Sequence, residues 1–440
     1  MQIQRTKLLM ILSEALDSVE TEVAGTTDHH AKRVAWLCMY MAGKLGMSEE
    51  EVSYLAAAAL LHDSALIRYR ADYRCGGERA ASALKAHCAA GEENLSLLPG
   101  CEVPRNFILY HHECADGSGP FGKTAEETPL GAQLIHIADI TDRQMPMGSL
   151  TEADLPALRA YIEKQRERLF GGQMCDLLLS VLEEGALTGL SEEIFLQAAA
   201  EIPETVYDAD MRALSALFAR IIDYKSPFTK KHSVGLAKKA EAMALHYGWG
   251  EETAEQLYCA GALHDIGKLL VKKEVLEKAG KLDQEEYRHI QSHAYETNRL
   301  LSRLEGLEQI TQWASYHHEK LNGMGYPFGK TAEELDEKCR LLACLDIYQA
   351  LTEDRPYKAG MKHHKAMSIL RELAEKGELD SRITEDIGSV FHIEETEDTA
   401  ENTALFQCSV CGFVYEGDVV PQGYFCPVCE QTETGFVRIR

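Results

Sequence analysis

The chain has 440 residues, 45% hydrophobic and 26% charged, which is the composition of a soluble globular protein long enough for two or three domains. The formal net charge is −25, from 70 acidic and 45 basic residues, and this acidity argues against a long nucleic acid as partner. A small anionic ligand is compatible with this charge if metals or a few local cations receive it.

The first segment, MQIQRTKLLMILSEAL, predicts an amphipathic helix. Polar and acidic residues interrupt its apolar run, and it has no clear small-residue cleavage site, which argues against a signal peptide. No apolar run in the chain reaches the roughly 20 residues that a membrane span needs. We therefore expect a cytoplasmic protein that has no membrane partner.

Apolar residues recur at helical spacing along most of the chain before residue 405, among many strong helix formers. Strand-like alternation is scarce in the same region, so the fold is predicted to be mainly all-α. The amphipathic pattern is clearest in the stretches 1–20, 31–45, 50–62, 152–170, 236–247, 252–264 and 364–376.

A long internal repeat runs through this helical region. HAKRVAWLCMYMAGKLGMSEE begins at His30, and HSVGLAKKAEAMALHYGWGEE begins at His232, 202 positions later. The motifs ALLHD and GALHD keep this offset, which has grown to 207 where ADI is matched by LDI. The passage FGKTAEE occurs at 121–127 and again at 328–334, each time after a doubled histidine. Such long-period similarity with a drifting offset indicates duplication of a whole domain.

The repeat also predicts the domain boundaries. Moving the chain start forward by 202 positions gives a first copy at 1–202 and a second copy at 203–393. The acidic, apolar-poor EETEDTAEN then predicts a linker at 394–403. Residues 404–440 are rich in aromatic, glycine and proline residues, and they predict a small β-rich module with four cysteines.

Each copy contains seven imidazole and carboxylate side chains in the same order and at nearly the same spacing. These groups suit borderline metals such as iron, manganese and zinc. Seven ligands exceed what one metal takes, whereas two metals about 3.5–4 Å apart that share a carboxylate fit the number. The candidates in the second copy are His232, His264, Asp265, His293, His317, His318 and Asp346. Those in the first copy are His30, His62, Asp63, His87, His111, His112 and Asp139.

This order of residues resembles that of the HD phosphohydrolase superfamily. HDIGK at 264–268 and HHEKLNGMGYP at 317–327 resemble the motifs of its HD-GYP branch, and LTEDRPYK at 351–358 resembles the segment after the last metal-binding aspartate. The resemblance covers about 203–393 and implies tandem HD-type helical domains. It also implies a metal-dependent phosphodiesterase that hydrolyses cyclic di-GMP, or a related cyclic dinucleotide, through a metal-bridging hydroxide.

The same resemblance implies roles for individual residues. Asp265 would bridge two iron or manganese ions as part of the catalytic centre, and Lys268 would lie near the scissile phosphate. Arg355 and Lys358 would bind substrate phosphate. Phe228 stands where three-metal members carry a carboxylate, so two metals are expected in this copy.

The first copy keeps every candidate ligand but differs where phosphate would be bound. HDSAL replaces HDIGK, so Leu66 stands where Lys268 would be. GSGP lacks the tyrosine of GMGYP, and ITDRQMPMGS departs from LTEDRPYK. Three interpretations stay open: a metal-loaded regulatory domain with weak catalysis, a second active site with an altered substrate, and a metal-free structural remnant.

The last four cysteines, Cys408, Cys411, Cys426 and Cys429, form two CxxC pairs separated by fourteen residues. This spacing predicts a tetrahedral four-thiolate metal site. CSVCGFVYEGD followed by CPVC resembles rubredoxin-like domains, which implies one iron, and a zinc ribbon is the alternative for the same ligands. An iron that cycles one electron predicts a redox partner and redox regulation of hydrolysis.

Two other functions remain open at this stage. HD sites support several reactions, so the chain could be a phosphohydrolase acting on another nucleotide. It could also be a non-catalytic signalling protein that binds metal or nucleotide without turnover. The intact HDIGK and GYP segments favour the enzyme.

Overall fold

The structure is a computed structural model, and its chain forms two compact units, Met1–Val390 and Phe391–Arg440. The predicted boundaries at 202, 393 and 403 stay predictions. The residues that the structure describes are 2–24, 26–27, 29–69, 77–98, 103–191, 206–208, 211–225, 230–276, 278, 280–353, 360–391, 405–408, 414–416, 420 and 436–438.

The first unit is almost entirely helical, which confirms the predicted all-α character of this region. The helices of the first copy are α1 Arg5–Ala24, α2 His30–Lys44, α3 Glu49–Leu61, α4 Gly77–Ser96, α5 Leu130–Gln144, α6 Leu155–Gln165 and α7 Gly172–Glu183. Those of the second copy are α8 Met211–Lys225, α9 Lys230–His246, α10 Glu251–Leu263, α11 Lys273–Leu276, α12 Gln284–Leu301, α13 Glu308–Ser315, α14 Glu337–Thr352, α15 His363–Glu375 and α16 Ser381–Val390. Short 3-10 helices occur at Leu66–Tyr69, Met147–Ser149 and Ile266–Leu270.

Each predicted amphipathic stretch contains a helix, but two differ in their bounds. The stretch 1–20 starts with the strand Gln2–Gln4, so its helix begins at Arg5, and another helix ends earlier than expected. The pattern at 152–170 predicts a helix that continues to residue 170, but α6 ends at Gln165. Glu167 adopts a left-handed conformation with φ of 56°, and its N–H donates to the carbonyl of Phe170 at 2.8 Å. A non-glycine residue in this conformation cannot continue an α-helix, so the chain turns there.

Capping interactions fix where several helices begin. At α3 the Ser48 hydroxyl accepts from the Glu51 N–H at 3.3 Å, while the Glu51 carboxylate accepts from the Ser48 N–H at 2.8 Å. Asp283 and Glu286 form the same reciprocal pair at α12. Each pair satisfies backbone donors that the first turn of a helix leaves open.

Two glycines allow the helices of the second copy to pack closely beside the HD pair. A Cβ atom on Gly261 of α10 would lie 2.8 Å from the Cα of Ala237 in α9. A Cβ on Gly267 would lie 2.0 Å from the carbonyl oxygen of His293 in α12. The glycine of HDIGK is therefore a steric requirement, because it lets the 3-10 helix Ile266–Leu270 lie against the backbone of α12.

The two copies contact each other through equivalent elements. In one contact Glu14 of α1 binds Arg299 of α12 at 2.6 Å, and in the reciprocal one Arg220 of α8 pairs with Glu93 of α4. Helix α8 is the counterpart of α1, and α4 is the counterpart of α12. The strands Gln2–Gln4 and Val206–Asp208, β1 and β2, pair antiparallel between the copies. The interface thus has approximate two-fold character within one chain.

The second unit contains a three-stranded antiparallel sheet in the order β4-β3-β5. β3 is Leu405–Cys408, β4 is Val414–Glu416 and β5 is Phe436–Arg438. Cys408 lies opposite Phe436 at the end of the central strand. Cys411, Cys426 and Cys429 lie outside the described residues, so the four-cysteine site stays a prediction.

Helices long and apolar enough to span a membrane are absent from the part of the chain that the structure describes.

Candidate metal centres

The seven candidate ligands of the second copy meet in one buried cluster. They come from the first turn of α9 (His232), the end of α10 (His264 and Asp265), α12 (His293), the turn after α13 (His317 and His318) and α14 (Asp346). Three overlapping groups, each with donor atoms within 4.8 Å of one another, are His293–His317–His318, His232–His264–Asp346 and His264–Asp265–His317. Residues separated by more than 100 positions are thus within reach of shared ions.

Asp346 lies at one side of the cluster, among three imidazoles. Its Oδ1 is 2.9 Å from His232 Nε2 and 3.7 Å from His264 Nε2. Its Oδ2 is 3.6 Å from His318 Nδ1. This carboxylate is buried, and the neighbouring imidazoles hold its pKa well below the usual value although burial opposes ionisation.

Asp265 lies at the other side of the cluster. Its Oδ2 is 3.2 Å from His264 Nε2 and accepts from the Lys268 ammonium at 2.5 Å, while its Oδ1 is 3.5 Å from His293 Nε2. Burial raises the pKa of Asp265, but His264 and Lys268 outweigh it and keep the pKa well below the usual value. Asp265 therefore carries a negative charge although its side chain is buried.

Backbone carbonyls orient three of the imidazoles in the same way. The Nδ1 atoms of His264, His293 and His317 lie 2.7, 2.6 and 2.6 Å from the carbonyl oxygens three residues earlier. Each Nδ1–H donates to its carbonyl, which leaves Nε2 as the lone-pair donor that faces the cluster. Among the described residues, the buried His264 Nε2 and Asp265 Oδ1 make no hydrogen bond of good geometry, although His264 Nε2 lies 3.2 Å from Asp265 Oδ2. Orphaned donor atoms of this kind fit bound cations.

The histidines of the cluster differ in charge. Burial lowers the pKa of His293 to about 3 and that of His318 to about 4, so both are neutral, as metal ligands must be. Burial also opposes a charge on His232, but hydrogen bonds to Asp346 and Glu353 outweigh it and raise the pKa of His232 to about 10. A cation on His232 would replace this proton.

Sequence reasoning missed one residue that supports the cluster, Glu353, whereas it did single out the tyrosine of the GYP segment. Glu353 Oε2 is 3.1 Å from His232 Nδ1, on the side of the ring opposite Asp346. Glu353 stands seven residues after Asp346, about two helical turns away, at the C-terminal end of α14. Residues at this spacing lie on the same face of a helix, and this spacing was the signal that could have identified Glu353. The ring of Tyr326, from the GYP segment, lies 4.7 Å from the His318 ring.

The repeated FGKTAEE passages serve the glutamate that follows each doubled histidine. In the second copy, Glu319 accepts from the N–H groups of Phe328 at 2.7 Å and Lys330 at 2.9 Å. In the first, Glu113 accepts from Phe121 at 2.7 Å and from Lys123. Both carboxylates are buried and hold a loop against the turn that carries the doubled histidine, so the identical letters reflect a shared support structure.

The first copy brings its seven candidates together in the same arrangement. His30 Nε2 is 3.0 Å from Asp139 Oδ1, and His87 Nε2 is 3.0 Å from Asp63 Oδ1. The second ring nitrogen of His30 binds Asp142 at 2.7 Å, in the role that Glu353 has in the second copy. All seven side chains are buried or half-buried.

The first copy has an arginine where the second has Ala350. Arg143 Nε donates to Asp139 at 2.5 Å, and its terminal nitrogen donates to Asp63 at 2.7 Å. Burial raises the pKa of Asp139, but Arg143 and His30 keep it well below the usual value. One guanidinium therefore bridges both carboxylates that a pair of metals would need, and the first site fits two cations less well than the second.

Glu20 of α1 is a second feature of the first copy alone, since Ile222 stands at the corresponding place. The side chain of Glu20 is 1% exposed, and neither carboxylate oxygen has a hydrogen-bond partner among the described residues. Burial and the nearby charge of Asp63 raise the pKa of Glu20 to about 8.

Phe228, Arg355 and Lys358 lie outside the described residues, so their predicted roles are unchanged. The metal-ligand roles of the two clusters also stay predictions, with a better fit in the second copy.

Comparisons with known proteins agree with this arrangement of two related helical units. Residues 27–144 and residues 216–383 each match an HD domain family. A 3'3'-cGAMP-specific phosphodiesterase of Vibrio cholerae is 30% identical over 386 residues, which cover 84% of this chain and 88% of that protein. A cyclic di-GMP phosphodiesterase of Pseudomonas aeruginosa is 30% identical over 42% of this chain and 45% of its own length.

A solved structure shares the fold. The crystal structure of a V. cholerae cyclic GMP-AMP specific phosphodiesterase superposes with a TM-score of 0.62 at 24% identity, covering 89% of this chain and 98% of that one. The named relatives, together with the two HD domains, show a metal-dependent phosphodiesterase. The chain belongs to the HD-domain phosphodiesterase family.

Proposed function

We propose that the chain hydrolyses a cyclic dinucleotide at the seven-ligand cluster of the second copy, as an HD-GYP phosphodiesterase. The observation that carries this proposal is the pair of orphaned, buried donors, His264 Nε2 and Asp265 Oδ1, in a cluster of seven ligands. Two divalent cations, iron or manganese, would activate water and neutralise charge on the phosphoryl oxygens. The three imidazoles held by backbone carbonyls would then act as fixed donors that need no rearrangement.

Lys268 is the residue best placed to act on the substrate. Its ammonium group binds Asp265 at 2.5 Å, and its side chain is 24% exposed, so it lies between the buried ligands and solvent. From there it can donate a hydrogen bond to a phosphate oxygen beside the metals and stabilise charge that develops in the transition state. It is also a candidate proton donor to the leaving sugar oxygen. By similarity, Arg355 and Lys358 would hold the substrate phosphate.

Two cyclic dinucleotides are candidates for the substrate. The HD-GYP motifs favour cyclic di-GMP. The V. cholerae relative that covers most of this chain is named for 3'3'-cGAMP, and this coverage favours 3'3'-cGAMP as the second candidate. Both contain two phosphodiester bonds in one ring, so the same metal chemistry serves either of them.

The four-cysteine module would add redox control. A single iron on Cys408, Cys411, Cys426 and Cys429 would exchange one electron with a redox partner and keep catalytic iron reduced. Hydrolysis would then fall when fully metallated protein is moved from anaerobic to aerobic buffer. Equal rates in both buffers would refute this part of the proposal.

The test of the main proposal uses matched double variants of the full chain. Wild type, His264→Ala/Asp265→Ala and His62→Ala/Asp63→Ala are loaded anaerobically with Fe(II) or Mn(II) and assayed with both dinucleotides. We expect the variant of the second copy to lose at least 100-fold in activity, while the variant of the first copy keeps most of it. Turnover of neither dinucleotide by metal-loaded wild type, or greater loss in the first-copy variant, would overturn the proposal.

A further inference from the structure

The first copy contains a thiol that has no counterpart in the second. Cys88 directly follows His87 in α4, whereas Ala294 follows His293 in α12. The Cys88 side chain is fully buried and is not part of a disulfide. It lies with three imidazoles in one group of potential metal ligands, formed by His87, Cys88, His111 and His112.

The spacing of these four donors fits one ion. Their ligand atoms all lie within 4.8 Å of one another. In a tetrahedral site with bonds of about 2.0–2.3 Å, the ligand atoms are about 3.3–3.8 Å apart. A contraction of about 1 Å, achieved by side-chain rotation, would therefore complete the coordination.

This group contains buried ring nitrogens without hydrogen bonds. Among the described residues, both ring nitrogens of His87 and the Nε2 of His111 make no hydrogen bond of good geometry, although Asp63 Oδ1 lies 3.0 Å from His87 Nε2. His87 is 1% exposed and His111 is fully buried. His111 Nδ1 donates to the carbonyl of Ile108 at 2.5 Å, so its Nε2 is the free donor. Buried imidazole nitrogens without partners are costly unless an ion or another group satisfies them.

The charge pattern separates this group from the rest of the first cluster. Arg143 neutralises Asp63 and Asp139, so a second cation beside them would meet a fixed positive charge. The four-residue group lies beside the other oxygen of Asp63: Oδ1 is 3.0 Å from His87 Nε2 and 3.9 Å from His111 Nε2, whereas Oδ2 binds Arg143. Three imidazoles and one thiolate suit a borderline divalent ion such as zinc better than the oxygen-rich sites of magnesium or calcium.

We propose that the first copy holds a single divalent cation on His87, Cys88, His111 and His112, with the Cys88 thiolate as a ligand. The cation links α4 to the turn that carries the doubled histidine. This centre differs from the paired-metal centre of the second copy in both number of ions and donor type. It does not depend on which substrate the second copy hydrolyses.

Cobalt(II) is the probe, because thiolate ligation gives an intense near-ultraviolet charge-transfer band that imidazole and carboxylate ligands do not give. The test compares the full chain that carries Cys→Ser changes at 408, 411, 426 and 429 with the same chain that also carries Cys88→Ala. Removal of the four C-terminal thiols eliminates their contribution to the band. Alanine is the residue that the second copy has at the equivalent position, Ala294. Cys88→Ser provides a second variant, whose side chain is similar in size to cysteine.

We expect the cobalt-saturated parent to show the thiolate band at the intensity of one cobalt ion, in addition to the cobalt that the second copy binds without thiolate, and both Cys88 variants to lose the band. The matched control is Cys38→Ala, which removes another fully buried cysteine of the first copy and should leave the band unchanged. Absence of the band from the folded, cobalt-loaded parent would overturn the proposal. So would a band of full intensity in the Cys88 variants.

Discussion

The role of Arg143 yields a prediction that compares the two copies directly. Arg143→Ala gives the first copy the residue that the second has at Ala350. The change removes the guanidinium that binds Asp139 at 2.5 Å and Asp63 at 2.7 Å. Both carboxylates, which are fully buried, would be left without this cation.

The size of the effect follows from burial. Removing one partner of a buried ion pair costs about 3–5 kcal/mol, because an uncompensated charge remains inside the protein. The Arg143 side chain is 22% exposed, so we expect the lower end, about 3 kcal/mol less free energy of unfolding in metal-free buffer. A cation that binds the vacated place would recover about 2.7 kcal/mol at 100 times its Kd.

The assay is urea unfolding in chelator and in Mn(II), combined with a count of bound manganese. We expect Arg143→Ala to bind one more manganese than wild type and to regain most of the lost stability in Mn(II). The control is Arg159→Ala, which breaks an exposed ion pair with Glu183 and should cost less than about 1 kcal/mol in either buffer. A variant that is destabilised equally with and without Mn(II), and binds no extra ion, would refute the view that Arg143 occupies the place of a cation.

Three further predictions concern supporting residues. Glu353→Gln removes the carboxylate behind His232, and we expect 10–100-fold weaker metal binding by the second copy in equilibrium dialysis, with no change in fold by circular dichroism. Glu319→Gln keeps the shape but loses the charge that accepts two backbone N–H groups, so the free energy of unfolding should fall by about 1–3 kcal/mol, with a similar loss for Glu113→Gln. Burial opposes ionisation of Glu14, but two arginines lower its pKa below the usual value; its stabilising effect is therefore present above the unfolded-state pKa and is lost as pH falls through the folded-state pKa. Glu14→Gln should flatten that acidic part of the stability profile, and an unchanged profile would contradict this.

Much of this architecture could be predicted from the helical period and the repeat. The order of histidines and aspartates is visible in the sequence, and the structure brings both sets of seven residues together. The contact of Arg143 with Asp63 joins residues that are 80 positions apart in the sequence. It depends on how α5 packs, so it could not be predicted from local signals. In the sequence, Cys88 is one of nine cysteines scattered over residues 38–344. Its proximity to His111 and His112 arises only when α4 packs against the turn that carries them.

The contacts between the copies explain why a first copy without a counterpart of Lys268 would be retained. Helix α1 packs against the 3-10 helix Ile266–Leu270, which carries Lys268, and α8 packs in turn against Leu66–Tyr69. The turn after each HD pair is therefore supported by the first helix of the other copy. Loss of the first copy would expose this face of the second and leave Lys268 without its support. The candidate metal site of the first copy could then diverge, as Arg143 and Cys88 indicate, whereas the helices of the first copy that support the second copy could not.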